Sequence, residues 1–207
     1  MSYEYVQYGC GFCAPEGWMN FDSSPTLRFE RLPIIGNFYT KNKKRFPLNV
    51  RYGDIVKGLP IDEDSCKGVY CSHVLEHLSL EDFRIALQKT YSYLRPGGIF
   101  RLVVPDLEEL TRKYLKDARQ DAAIRFIESC CLGAKNRPKT IVEVLLRQFS
   151  NSAHLWMWDE KAVVRELEQH GFRCCRRARF GDCEDKRFQE VEDLDRFVDA
   201  VAIESVK

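Results

Sequence analysis

The chain has 207 residues and a formal net charge of +1, from 32 basic and 31 acidic side chains, so no charge excess draws it to nucleic acid. At 44% hydrophobic and 30% charged it has the make-up of a folded globular protein, long enough for one sizeable core and read as a single domain over 1–207. No apolar run approaches the ~20 residues of a membrane span, and MSYEYVQYG has no basic-then-apolar leader pattern.

The first predicted strand is YEYVQY at 3–8, which runs into Gly9. WMNFD at 18–22, NVRYGDI at 49–55 and KGVYCSH at 67–73 follow, all rich in aromatic and β-branched residues. A helix is predicted over 79–94, because Leu80, Phe83, Leu87, Tyr91 and Leu94 recur at three- and four-residue spacing. Ser79 followed by Asp82 resembles a cap, and Arg95-Pro96-Gly97-Gly98 stops the helix. GIFRLVVPD at 98–106 is the most apolar strand, and 107–150 reads as two or three helices without strands. That stretch is too long for a simple crossover, so it is an insertion over one end of the sheet. A further helix spans about 160–170, with Asp159 as its N-cap and Gly171 as its stop. FRCCRRARF at 172–180 and FVDAVAIESV at 197–206 alternate like an antiparallel pair at the sheet edge. The fold class is α/β: a Rossmann-like, mostly parallel sheet with helices on both faces, an antiparallel C-terminal edge strand and a helical insertion near 107–150.

Nine cysteines, odd in number with two adjacent pairs, read as free thiols in a reducing compartment, which points to the cytoplasm. Cys10 and Cys13 form a C-x-x-C with no second pair to complete a metal site. The basic run Lys41, Lys43, Lys44 and Arg45 reads as a solvated loop, with an anion contact as the functional alternative.

The loop after the first strand, GCGFCAPEG at 9–17, carries the main functional signal. Gly9 and Gly11 permit positive φ and close approach of a ligand at the carboxyl end of the sheet. The second strand ends in Asp22, whose carboxylate suits a ribose diol. Gly9-x-Gly11-x-x-Ala14 formally matches the dinucleotide fingerprint, which makes an NAD-dependent oxidoreductase one reading. That fingerprint needs a helix N-terminus under the pyrophosphate and an acid about 20 residues on. Here Asp22 comes sooner, and Pro15 and Gly17 leave room for one helical turn at most. A nucleoside cofactor without phosphates, such as S-adenosylmethionine (SAM), needs no such dipole.

HVLEH at 73–77 fits the zinc-peptidase pattern H-x-x-E-H. The pattern needs a long helix and a third ligand, whereas KGVYCSH is strand-like, so no metal is expected.

Taken in order, VQYGCG, GWMNFD, YGDIVKGLPIDEDSCKGVYCSHVLEHL, LQKTYSYLRPGGIFRLVVPDLEEL and HLWMWDEKAVVRELEQHGF resemble the class I SAM-dependent methyltransferases. The likeness is greatest to the small "type 11" branch associated with glycan biosynthesis, and FVDAVAIESVK looks like that family's final strand. The resemblance implies SAM as cofactor and S-adenosylhomocysteine as product. It implies that Gly9, Cys10 and Gly11 wrap the methionine part, that Asp22 holds the ribose and that Asp54 with Ile55 meets the adenine. Ser72 and His73 would line the other side of the cofactor. The chain departs from the family in lacking the usual helix between the first two strands. It also starts close to the first strand, so the insertion is expected to replace an N-terminal lid.

Methyl transfer to a hydroxyl needs alignment and removal of a proton. The candidate bases are His77, His73 and His154, with Asp106 as another carboxylate that equally suits a helix cap. In SAHLWMWDE, His154, Trp156 and Trp158 offer a donor and aromatic faces to a flat ligand, while packing accounts for at least one tryptophan. The expected activity is methyl transfer to a hydroxyl, with amine or carboxylate as alternatives, on a glycan or small-molecule acceptor. A non-catalytic SAM-binding domain is the rival from another class.

Overall fold

The computed structural model describes residues 4–33, 36, 44–137, 140 and 153–207. The strands are β1 (Tyr5–Tyr8), β2 (Trp18–Asp22), β3 (Val50–Tyr52), β4 (Cys66–Ser72), β5 (Leu94–Pro105), β6 (Arg173–Arg177) and β7 (Ala200–Val206). They form one 7-stranded sheet in the order β3-β2-β1-β4-β5-β7-β6. β1 to β5 pair in parallel, and β7 pairs antiparallel to both β5 and β6. The expected mostly parallel sheet with antiparallel C-terminal strands is therefore present. The last strand lies inside the sheet and β6 is the edge. β7 is buried over most of its length, whereas the charged RCCRR of β6 is largely exposed and suits an edge.

One sheet face carries Val6, Phe21, Val69, Phe100, Leu102 and Ile203. Two helices cover it, α2 (Leu80–Tyr93) and α5 (Glu160–Gln169), through Phe83, Leu87, Val163 and Leu167. Ser79 caps α2 by accepting from the Asp82 N–H, and Asp159 caps α5 by accepting from the Ala162 N–H. Strand β5 begins directly at Leu94, where Arg95 to Gly98 form an irregularity in the β4–β5 register rather than a separate turn.

The second face is covered differently. Helix α1 (Pro25–Glu30) packs Leu27 on Val50, Cys10 and Phe46 at the β3 edge. The chain from 178 to 197, with 3₁₀ turns at Lys186–Glu190 and Leu194–Phe197, covers Trp18, Tyr70, Val103 and Ala202. Arg101 of β5 lies under this cover and is 1% exposed. It donates to Glu192 Oε1 at 2.7 Å, Asp182 Oδ1 at 3.0 Å, Glu204 Oε2 at 2.6 Å and the Arg179 carbonyl at 3.0 Å.

Past β5, helices α3 (Leu107–Lys116) and α4 (Ala122–Ser129) begin the insertion. Of the insertion expected over 107–150, residues 138–139 and 141–150 lie outside the described residues, as do Lys41 and Lys43 of the basic run. All nine cysteines are free. Among the described residues no helix is long and apolar enough to cross a membrane.

Replacing Arg101 by leucine leaves the buried Glu192 carboxylate without its counter-charge. Urea denaturation of Arg101→Leu is expected to show a loss of about 3–5 kcal/mol of unfolding free energy.

Candidate cofactor and acceptor site

The loop at 9–17 joins two adjacent parallel strands without a helix. Two buried side-chain amides hold it. Gln7 of β1 donates to Asn20 Oδ1 at 2.6 Å and to the Cys13 carbonyl at 2.9 Å. Asn20 of β2 donates to the Pro15 carbonyl at 3.2 Å. Gly9 and Gly11 adopt φ of +69° and +55°, which favour glycine. A Cβ on Gly9 would overlap Val74 Cγ2, while one on Gly11 would meet nothing within 4 Å.

Asp22 ties this loop to the end of β2. Its Oδ2 accepts from the Gly11 N–H at 2.9 Å and its Oδ1 from the Ser24 N–H at 2.8 Å. Each oxygen keeps a further lone pair, and the residue is 8% exposed at the rim of a cavity of about 550 Å³. That volume suits a small cofactor. Gly9, Asp54, Ile55, His73 and His77 line the same cavity. Asp54 accepts from the Val56 N–H through Oδ1 and pairs with the exposed Lys57 at 3.0 Å through Oδ2.

Two of the expected residues lie elsewhere. The Cys10 side chain is buried among Leu27, Phe46 and Val50, and burial pushes its thiol far up. Burial pushes the Cys13 thiol up as well, so neither member of the C-x-x-C is a ready thiolate. Ser72 lines a neighbouring cleft with Tyr70, Cys10, Lys44 and Arg196, and that cleft meets the first cavity at Gly9. The Ser72 hydroxyl and the Tyr70 hydroxyl are buried there without hydrogen-bond partners among the described residues.

HVLEH follows directly on β4, which ends at Ser72, one residue earlier than expected, and forms a 3₁₀ turn at Leu75–His77, not a zinc-peptidase helix. His73 sits in the left-handed region at φ +53°. Its Nε2 donates to the Arg196 carbonyl at 2.8 Å, and its Nδ1 is 3.2 Å from Glu76 Oε1. Burial works against a charge on His73, but Glu76 and the Arg196 carbonyl outweigh it and raise its pKa. His77 Nδ1 donates to the Ala153 carbonyl at 3.0 Å, which leaves Nε2 as the acceptor nitrogen.

His154 stands behind His77, with ring centroids 4.9 Å apart, and burial lowers its pKa although Glu76 opposes that. The turn itself places it: the Leu155 and Trp156 N–H groups donate to the Glu76 carbonyl at 2.8 and 3.1 Å. Trp158 stacks on Phe83 at 4.0 Å in the core, while Trp156 is 42% exposed.

Asp106 is apart from this group. It caps α3 by accepting from the Glu108 and Glu109 N–H groups, and its Oδ2 pairs with Arg177 at 3.1 Å. Both oxygens of its carboxylate are thus engaged, Oδ1 in the cap and Oδ2 with Arg177.

The β3-β2-β1-β4-β5-β7-β6 sheet, the glycine loop after β1 and the acid ending β2 occur together in one fold with one cavity. The chain belongs to the methyltransferase-domain family, whose model matches residues 10–176. No curated protein matches it in sequence. A SAM-dependent methyltransferase from Archaeoglobus fulgidus has a similar structure, with TM-score 0.55 and 18% identity over 100% of this chain and 88% of its own. Another from Thermotoga maritima, described as a possible histamine N-methyltransferase, gives 0.51 and 17% over 98% of this chain and 81% of its own. At these identities the likeness is one of fold.

The methyltransferase is therefore an enzyme whose cofactor is SAM, and the dinucleotide reading falls away. The residues fit that cofactor: a buried carboxylate with free lone pairs faces a nucleoside-sized cavity, beside a glycine with open space.

The two glycines have different tasks. Gly9→Ala forces a clash with Val74 as well as left-handed strain, whereas Gly11→Ala adds strain alone, about 1–2 kcal/mol. Thermal unfolding is expected to show the larger drop in Tm for Gly9→Ala. Titration with S-adenosylhomocysteine is expected to show lost binding for Gly9→Ala and weakened binding for Gly11→Ala.

Proposed function

We propose that this methyltransferase moves the SAM methyl group to a hydroxyl of a glycan or small metabolite. The observation that carries the reading is the Asp22 carboxylate. It is bound to Gly11 and Ser24 at the rim of a cavity that also holds Asp54, Ile55, His73 and His77. In this reading the loop of Gly9 and Gly11 wraps the methionine part and Asp22 takes the ribose hydroxyls. Asp54 and Ile55 take the adenine, and Ser72 and His73 line the opposite wall.

The bound cofactor supplies an activated methyl group on a sulfonium. The chain must bring the acceptor oxygen into line with it and help that oxygen lose its proton. His77 is the group set for the acceptor, because its Nε2 keeps a lone pair at the cavity wall. His73 uses both ring nitrogens on Arg196 and Glu76, which suits positioning.

The half-exposed Trp156 offers an aromatic face beside the turn and supports a sugar ring as acceptor. The insertion reaches this side through the Cys131 carbonyl, which accepts from the His154 N–H at 3.2 Å. We read it as the cover over the acceptor within a single domain. The free thiols fit a reducing, cytoplasmic setting.

Calorimetric titration with S-adenosylhomocysteine tests the cofactor site. Wild type is expected to bind it and to ignore NAD. Asp22→Ala is expected to bind at least about ten-fold more weakly, as the loss of charge-assisted hydrogen bonds implies. Undiminished binding in a folded Asp22→Ala variant would remove Asp22 as the ribose anchor.

A further inference from the structure

Glu76 poses a problem for the chain. It is fully buried, and neither carboxylate oxygen has a hydrogen-bond partner among the described residues. An isolated buried carboxylate costs several kcal/mol, so a positive partner is required. His73 stands 3.2 Å from Oε1, yet that contact leaves Oε2 without a partner. It also leaves unexplained why a second and a third imidazole face the same carboxylate.

Those imidazoles are His77 and His154. One donor atom from each, with a Glu76 oxygen, forms a group whose members all lie within 4.8 Å of one another. His154 Nδ1 is buried and has no hydrogen-bond partner among the described residues, and its Nε2 lies 3.9 Å from Glu76 Oε1. An imidazole that binds a metal gives its other N–H to a backbone carbonyl or carboxylate, which fixes the tautomer and aims the free nitrogen. His77 has that pattern through Ala153. The cluster is also held by the main chain, because the Glu76 carbonyl anchors the segment that carries His154.

We propose that Glu76, His77 and His154 bind one divalent transition-metal ion in the wall of the cofactor cavity, and that an open position on the ion takes an oxygen of the acceptor. Imidazole nitrogens with one carboxylate suit Zn²⁺ or its neighbours better than Mg²⁺ or Ca²⁺, which prefer all-oxygen sites. His73 is the positioning residue that holds Glu76 from the other side. The zinc-peptidase geometry is not needed, since the donors come from a 3₁₀ turn and a distant loop rather than from one helix. The role toward the acceptor rests on the function proposed above, and in it the ion takes the place of the His77 Nε2 lone pair as the group that meets the acceptor oxygen; the binding of the ion does not rest on that function.

The chain has four histidines, and the fourth is a built-in control. His170 sits at the end of α5 with its Nδ1 on the Glu166 carbonyl at 2.7 Å. The test is to strip wild-type protein with a chelator, add Zn²⁺, and follow the imidazole resonances by NMR. One equivalent is expected to shift the signals of His77 and His154 and to leave His170 unmoved. Calorimetry with Zn²⁺ is expected to show at least about ten-fold weaker binding for Glu76→Gln, with circular dichroism to confirm the fold. Unmoved His77 and His154, or all four histidines moving together, would overturn the site; so would zinc captured only by exposed thiols, which shifts no imidazole. Titrating the same sample with S-adenosylhomocysteine separates the two readings. Cofactor binding without the zinc response removes the ion alone, and the zinc response without cofactor binding removes the cofactor reading alone.

Discussion

The buried guanidinium of Arg101 is the interaction on which the second half of the molecule depends. A charge at 1% exposure in the middle of a sheet is tolerable only if it is fully paired. Here three carboxylates and a carbonyl do so, and Asp182, Glu192 and the Arg179 carbonyl belong to the segment that covers that face. Parallel sheets are ordinarily covered by helices on both faces. This chain uses two 3₁₀ turns pulled down by one cation. The effect reaches the site, because the second of those turns presents the Arg196 carbonyl to His73. His73 in turn stands against Glu76. The fold-holding pair and the chemistry are thus linked through one short run of chain.

Much of the fold is legible from short-range pattern. WMNFD is a strand over its whole predicted length, and the periodic run from Leu80 became α2 with the cap that Ser79 implies. Such elements are written locally, as apolar spacing and capping chemistry. What escaped was of two kinds. Helix α1 was passed over, although Ser24 followed by Pro25 is an N-cap and first-turn signal. The Arg101 cluster could not be read at all, since its partners lie 78 to 103 positions away and nothing local marks an arginine as buried.

The site shows the same division. Gly9, Gly11 and Asp22 were legible because a glycine loop and an acid at consecutive strand ends have a meaning fixed by sheet geometry. Ser72 fell on the neighbouring cleft and the Cys10 side chain on the core, since alternation along the chain decides which way each points. The gathering of His154 onto HVLEH was out of reach. His77 and His154 are joined by a bond across 76 positions, from the His77 ring to the Ala153 carbonyl, and only the folded chain brings their rings together. Sequence reasoning set metal aside because the zinc pattern needs a long helix and a third ligand, and KGVYCSH reads as a strand. The 3₁₀ turn removes the helix but supplies a different route by which the same side chains can converge.

The short connection between β1 and β2 ties these observations together. A dinucleotide fold uses a helix N-terminus under its pyrophosphate, and that helix also stiffens the loop. This chain has no such helix, so its loop needs another source of rigidity. Gln7 and Asn20, neighbours in the parallel register of β1 and β2, grip the loop at Cys13 and Pro15. Asp22 grips it again at Gly11. Two of the lone pairs of this acid order the loop, and the others stay free for the ribose role proposed above. A cofactor that brings no phosphate makes no demand on the helix dipole that this loop of Gly9 to Gly17 lacks.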